Sequence, residues 1–281
     1  MSWEYLQGVL VLFLVNSIAA MGVSLLTGFT GVFTLGHAAY MSIGAYALAI
    51  GMGRYELPWP IALLLAGVLA SLVAYLVGVP TLRLVGDYFA IASIGLGETV
   101  RLLVENWQSL TRGARGYPGI EPFADLWVVG GIALAMGLAM FNLTRSRFGR
   151  AFKACRDDPL AASTMGVDTT SMRIVSLVVS AFYCGVAGAL FASFMTYVQP
   201  AMFDLSKSTE LTAVVVFGGL GSMSGTILAA AVITLVVEAF RGLAQYRMLI
   251  YGLVLVTTMV LRPEGIMGEK EIWHLLRGRR G

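Results

Sequence analysis

The chain has 281 residues, 58% of them hydrophobic and only 12% charged, with a net charge of +3 and a mean hydropathy of +0.80. Soluble domains run near a quarter charged, and a globule of this size keeps too much surface exposed to hide such an apolar excess. Composition therefore excludes a soluble domain; the apolar stretches are also too long and unbroken for the alternating strands of a membrane barrel, which leaves an all-α, polytopic transmembrane helical bundle.

Apolar segments fall at 6–26, 31–51, 57–79, 88–104, 126–143, 174–198, 209–221, 225–240 and 248–261. With roughly 20 residues needed to span, they predict about eight to ten membrane segments, some broken or re-entrant. The opening MSWEYLQ carries an acid and no base before its apolar run. That is the wrong charge for a secretory signal, so residues 6–26 are expected as a retained first span.

The second stretch, TGFTGVFTLGHAAYMSIGAY (Thr27–Tyr46), has no charged residue, yet it holds Gly28, Gly31 and Gly36 within nine positions. Each costs a helix roughly 1 kcal/mol relative to alanine. A break is expected here, with Thr27, Thr30 and Thr34 available for the freed backbone groups. Gly44 and the Gly221/Gly225 pair read instead as close helix packing. His37 reads as a hydrogen-bonded packing residue ahead of a ligand. Further on, Asp87 is placed to cap the helix that follows it. Glu98 and Arg101, three residues apart on one helical face, neutralise each other near the end of segment 88–104.

The polar loop 144–173 holds Arg145, Arg147, Arg150, Lys153, Arg156 and Arg173. The region from Arg262 adds Lys270, Arg277, Arg279 and Arg280. Both are expected on the cytoplasmic side. In RSRFGRAFKACRDDP, helical spacing gathers Phe148, Ala151, Phe152 and Cys155 on one face, with Arg147, Arg150, Lys153 and Arg156 on the rest: an amphipathic helix at the membrane surface. Asp158 then suits an N-cap, Pro159 a first helical position and Gly166 the residue past a helix end, which predicts a capped helix Pro159–Met165. Two readings stand beside each other: a knob that docks into a partner's groove, and a basic connector among headgroups.

No phosphate-binding G-x-x-x-x-G-K-[ST] spacing surrounds Lys153, Lys207 or Lys270, and the two histidines and two cysteines lie too far apart for a metal site. Cys155 and Cys184 read as small apolar fillers. Nothing in the sequence marks an acid–base or nucleophile pair, so no enzyme and no bound cofactor is expected.

Four stretches carry a resemblance. TGFTGVFTLGHAAYMSIGAY, LRLVGDYFAIASIGLGETVRLL, SRFGRAFKACRDDPLAASTMGV and VVVFGGLGSMSGTILAA, in that order over about residues 10 to 265, resemble the branched-chain amino-acid permeases of ABC importers, the LivM-type subunits. The resemblance implies a permease domain over 1–265 with a basic cytoplasmic tail at 266–281, in a bacterial inner membrane. It implies as partners a second permease in a heterodimer, two cytoplasmic ATPases that bind ATP and magnesium, an external solute-binding protein and membrane lipid, with no nucleic acid. It makes Arg147, Arg150, Asp158, Pro159, Leu160, Ala161, Ala162 and Gly166 the ATPase-coupling residues, although Leu160 stands where the wider pattern has Glu. The translocation pathway is expected to draw on Thr27, Gly28, Gly31, Gly36, His37, Gly86, Asp87, Tyr88, Glu98, Gly218, Gly219 and Gly221. The competing expectation from the residues is an ion-coupled secondary transporter of small polar solutes, which needs a buried mid-membrane carboxylate.

Overall fold

The computed structural model describes residues 3–239 except 83 and 85, and beyond these only 252, 256, 265 and 268. The expected segment 248–261 and the basic tail lie, those single residues aside, outside the described part. Long apolar runs become helices because lipid offers no partner to an open backbone. They are α1 (Trp3–Val23), α2 (His37–Tyr55), α3 (Trp59–Thr81), α4 (Asp87–Asn106), α5 (Gln108–Thr111), α6 (Leu126–Arg145), α7 (Arg147–Asp157), α8 (Pro159–Thr164), α9 (Thr169–Met195), α10 (Leu205–Gly218) and α11 (Met223–Ala239). A short antiparallel ladder pairs β1 (Tyr117–Pro118) with β2 (Tyr197–Val198), Tyr117 opposite Val198.

Among the described residues, Trp3–Phe29, Trp59–Thr81, Leu126–Arg145 and Thr169–Met195 are long and apolar enough to cross a membrane, at 27, 23, 20 and 27 residues. The fold is all-α and built for a bilayer. The segment expected at 31–51 becomes helical only from His37, and the short one at 209–221 is the 14-residue α10.

Helix α9 is the axis of the bundle. Its Ala181, Cys184, Ala187, Ala189, Leu190 and Ala192 are fully buried, and α1, α2 and α3 pack around it. On α3 the buried residues Ala62, Ala66, Ala70 and Ala74 recur every four positions, while Leu64, Leu72 and Leu76 face outward. A ridge of small residues lets helix axes approach closely, and leucine on the opposite side suits lipid. The crossing of α2 over α9 is closer still. A Cβ on Gly44 would collide with the Gly185 carbonyl, and one on Gly188 with the Met41 backbone.

Contacts along α9 fix the directions of its neighbours. Gly8 lies beside Phe194, the Cys184 thiol meets the Ala19 carbonyl at 3.9 Å, and Gly22 abuts Ser180. Helix α1 is therefore antiparallel to α9. Helix α3 is too, since Gly67 meets Phe182 and the Ser71 hydroxyl donates to the Val178 carbonyl at 3.1 Å. The loop carrying α7 and α8 thus sits at the end of the bundle opposite Trp3.

Candidate functional site

The end of the bundle where α9 begins carries the polar module. Helix α7 is capped by Ser146, whose hydroxyl accepts from the Phe148 amide at 3.1 Å. Its buried face is Gly149, Phe152 and Cys155, while Phe148 is half exposed. The expected apolar face is thus rotated: Phe148 leaves it and Gly149 joins it, because α7 turns back tightly enough on α6 that a Cβ at 149 would strike the Thr144 backbone. Arg147 and Arg150 are exposed. Burial pushes the Cys155 thiol up from its ordinary pKa.

Helix α8 follows without a linker. Asp158 accepts from the amides of Leu160 (2.9 Å) and Ala161 (3.0 Å), and Pro159 occupies the first turn. At the other end the Gly166 amide donates to the Ser163 carbonyl (3.0 Å) and the Val167 amide to the Ala162 carbonyl (3.0 Å). This is the double closure of a Schellman end, and it sets Gly166 at φ +84°. The helix stops at Thr164, one residue before the expected end. Only Ala162 is turned inward, while Leu160 and Met165 are 79% and 84% exposed. Asp168 caps α9 through Ser171, whose hydroxyl and amide hold its carboxyl below the usual carboxylate range.

Above this module the backbone is broken. Helix α1 widens into a π-helical stretch, Ser24–Phe29, and the chain runs without regular structure through residues 30–36 before α2 starts. Side chains hold the freed groups. The Thr30 hydroxyl donates to the Leu25 carbonyl (3.0 Å), and Thr34 accepts from the Gly36 amide (3.2 Å). Ser93 of α4 accepts from the Leu35 amide (2.9 Å) and Ser208 of α10 from the Ala38 amide (3.0 Å). His37 is fully buried, its Nε2 3.0 Å from the Ser180 hydroxyl, while its Nδ1 and the Thr27 hydroxyl have no hydrogen-bond partner among the described residues.

A second break, residues 219–222, joins α10 to α11 with Gly219 and Gly221 at φ +109° and +93°. Gly218 and Gly225 are in mutual backbone contact, so the close pair is Gly218/Gly225 and not the expected Gly221/Gly225. Gly221 instead belongs to the turn, and its amide lies where a Cβ on Gly28 would come within 2.8 Å. The two breaks touch.

Arg156 of α7 sits at that junction. Its guanidinium donates to the Gly28 carbonyl (3.1 Å) and to Asp157 (3.0 Å). Cβ atoms placed on Gly31 and Gly221 would lie 2.8 and 2.7 Å from its side chain. Lys153 stacks over Phe29 with its ammonium 5.4 Å from the ring centre. Arg156 thus enters the backbone break rather than lying with the outward cations, while Lys153 touches its Phe29 edge and stays exposed. Arg156, Ser93, Ser180 and Ser208 were not singled out as site residues from the sequence. For Arg156 a signal existed, because it follows Phe152 by one helical turn and shares the buried side.

Of the remaining candidates, Glu98 borders the break, lining a small cleft with Leu35, Ala38 and Ser208, and residues 86–88 form the start of α4. Gly86, at φ +63°, caps α4, so Asp87 is the first helical residue rather than the cap. Tyr88 is 72% exposed. Glu98 pairs with Arg101 at 2.9 Å, and Arg101 also reaches Glu105 at 3.7 Å, leaving Glu98 in an ion-pair ladder along α4.

Membrane-length helices, two touching backbone breaks and a capped, exposed helix at one end define a multi-pass membrane protein that presents a short helix at one end of its bundle. The chain matches the family described as branched-chain amino acid transport system / permease component over residues 5–259 and belongs to it. It is similar to the high-affinity branched-chain amino acid transport system permease protein LivM of Salmonella typhimurium, at 31% identity over 284 residues that cover 89% of this chain and 67% of that protein. LivM of Escherichia coli K12 stands at the same identity and coverage. LivH of Salmonella typhimurium is 26% identical over 91% of this chain and 92% of its own length. No solved structure matches the chain. The relatives are permease components, and this chain is a transport subunit rather than an enzyme.

Proposed function

We propose that the protein is the translocation subunit of an ATP-driven importer for branched-chain or related amino acids in a bacterial inner membrane. In this reading a second permease completes the pathway as a heterodimer, an external solute-binding protein delivers substrate, and two cytoplasmic ATPases hold the ATP and magnesium. The observation that carries it is Arg156. It extends from α7, immediately before the exposed α8, into the junction of the two backbone breaks, and so provides a physical path from a cytoplasmic partner to the interior. Docking on α8 through Leu160 and Met165 is apolar, which fits Leu160 where a salt-bridging Glu stands in the wider pattern.

Uptake is expected to depend on ATP and to survive collapse of the proton gradient. The measurement is substrate uptake with a protonophore present and ATP held constant. Loss of uptake under that condition replaces this reading with the ion-coupled transporter. A cysteine at Ser163 is expected to resist an impermeant thiol reagent in intact cells and to react after permeabilisation, which checks the side on which α8 lies.

A further inference from the structure

Between α1, α9, α10 and α11 lies a partly open cavity of about 480 Å³, within the roughly 300–1,000 Å³ typical of small-molecule sites. Its polar wall is unusual for this depth. Lys207 donates from Nζ to Asn16 Oδ1 at 3.0 Å and pairs with Glu210 Oε2 at 3.3 Å. The two charged side chains are only 15% and 16% exposed. Asn16 is the central residue of the 27-residue helix Trp3–Phe29, fourteenth from either end, so the pair sits near the bilayer midplane. Charged groups there are costly and tend to mark a solute route. Asp204 and Glu238 add two further acids to the lining, and Leu12, Phe191 and Ile233 supply its apolar part.

We propose that this cavity is a low-affinity waypoint for a free amino acid, with Lys207 receiving the α-carboxylate, Glu210 the α-ammonium and the apolar wall the side chain. The proposal rests on the transport reading above and adds the site within this chain. An ammonium has three donors, of which Asn16 and Glu210 use two, and a carboxylate keeps acceptor sites beyond the one facing Lys207. A zwitterion adds no net charge to this wall, which beside the Lys207–Glu210 pair also carries Asp204 and Glu238. A lone anion would face three acids in low dielectric, and a lone cation would leave Lys207 without the carboxylate it receives. The site therefore selects the head group common to all α-amino acids, and the broad apolar wall discriminates weakly among side chains.

The test uses the full chain in native membranes with a reporter cysteine at Thr234→Cys on the cavity wall. Cys155 and Cys184 are buried, which keeps their background labelling low. The rate of modification by a small methanethiosulfonate reagent is measured alone and with L-leucine, leucinol (no carboxylate) or 4-methylpentanoate (no ammonium). Leucine is expected to slow modification, and the two analogues at the same concentration are not. In Lys207→Met and Glu210→Gln backgrounds the leucine concentration for half protection is expected to rise roughly tenfold or more, the loss of one charge-assisted hydrogen bond. Should Lys207→Met fail to accumulate, the nearly isosteric Glu210→Gln carries the comparison. Absence of protection by leucine, equal protection by all three compounds, or an unchanged midpoint in the charge variants overturns the proposal. Binding in this assay needs no ATP, so its outcome is separate from the protonophore experiment.

Discussion

The seam of α2 on α9 and the break at residues 24–36 are both rich in glycine, and they use it for opposite ends. At the seam two unbroken helices press backbone against backbone, Gly44 on Gly185 and Gly188 on Met41. Every amide there is satisfied within its own helix, and the missing side chains only shorten the distance. At the break the helix stops, and the freed groups are held by its own Thr30 and Thr34 and by Ser93, Ser208 and Arg156 from three other helices. The seam is rigid by packing, whereas the break is held by a handful of directional bonds that can be exchanged one at a time. A transporter needs both, a fixed axis and an element that can switch between arrangements.

The largest expected effect falls on the seam. Gly44→Ala puts a methyl into the Gly185 carbonyl, where only a shift of a whole helix makes room; overpacking of this kind costs typically 1–3 kcal/mol and more when backbone is the obstacle. Membrane abundance should fall sharply. The same substitution at Gly95 of α4, which has nothing within 4 Å of its Cβ position among the described residues, should leave abundance unchanged or raised, since alanine is the better helix former by about 1 kcal/mol. Equal abundance of the two variants would break the comparison.

Next comes Gly166→Val. The left-handed conformation at the end of α8 disfavours a side chain by about 1–2 kcal/mol, and β-branching makes it worse. No described residue comes within 4 Å of a Cβ at this position, so abundance should stay near normal while ATPase pull-down and uptake both drop. Normal transport by this variant reduces the loop to a basic connector.

Arg156→Gln sharpens the contrast from the other side. It leaves α8 intact but strips the Gly28 carbonyl of its charged donor, at a cost of about 1–3 kcal/mol. Uptake should fall while ATPase pull-down persists, separating docking from transmission. Joint loss of both would place Arg156 with the docking surface instead. Asp158→Ala is the mildest: a lost cap costs typically ~1 kcal/mol, and Pro159 still favours helix initiation, so uptake should be reduced but measurable.

Much of this molecule was written locally. Apolar run length dictated helices because lipid permits little else. Asp158, Pro159 and Gly166 dictated a short capped helix because each matches one end's backbone geometry, and the glycines at 28, 31 and 36 foretold a break because a helix weakened at three points in nine gives way there. What the sequence did not decide was which way things face. Helical spacing placed Phe148 inside and Arg156 outside, and packing against α6 and the break reversed both. Gly221 looked like a packing partner of Gly225, yet its positive φ places it in a turn against Gly28. In the sequence Glu210 is only a weak candidate near the end of segment 209–221 and Lys207 stands outside it, because a charged pair at i, i+3 is ordinary on any helix. Only the convergence of α1, α9, α10 and α11 buries that pair beside a cavity at mid-membrane. Local propensity is a property of a few neighbours along the chain, whereas orientation and burial depend on residues more than a hundred positions away, and those contacts form only when the whole bundle is assembled.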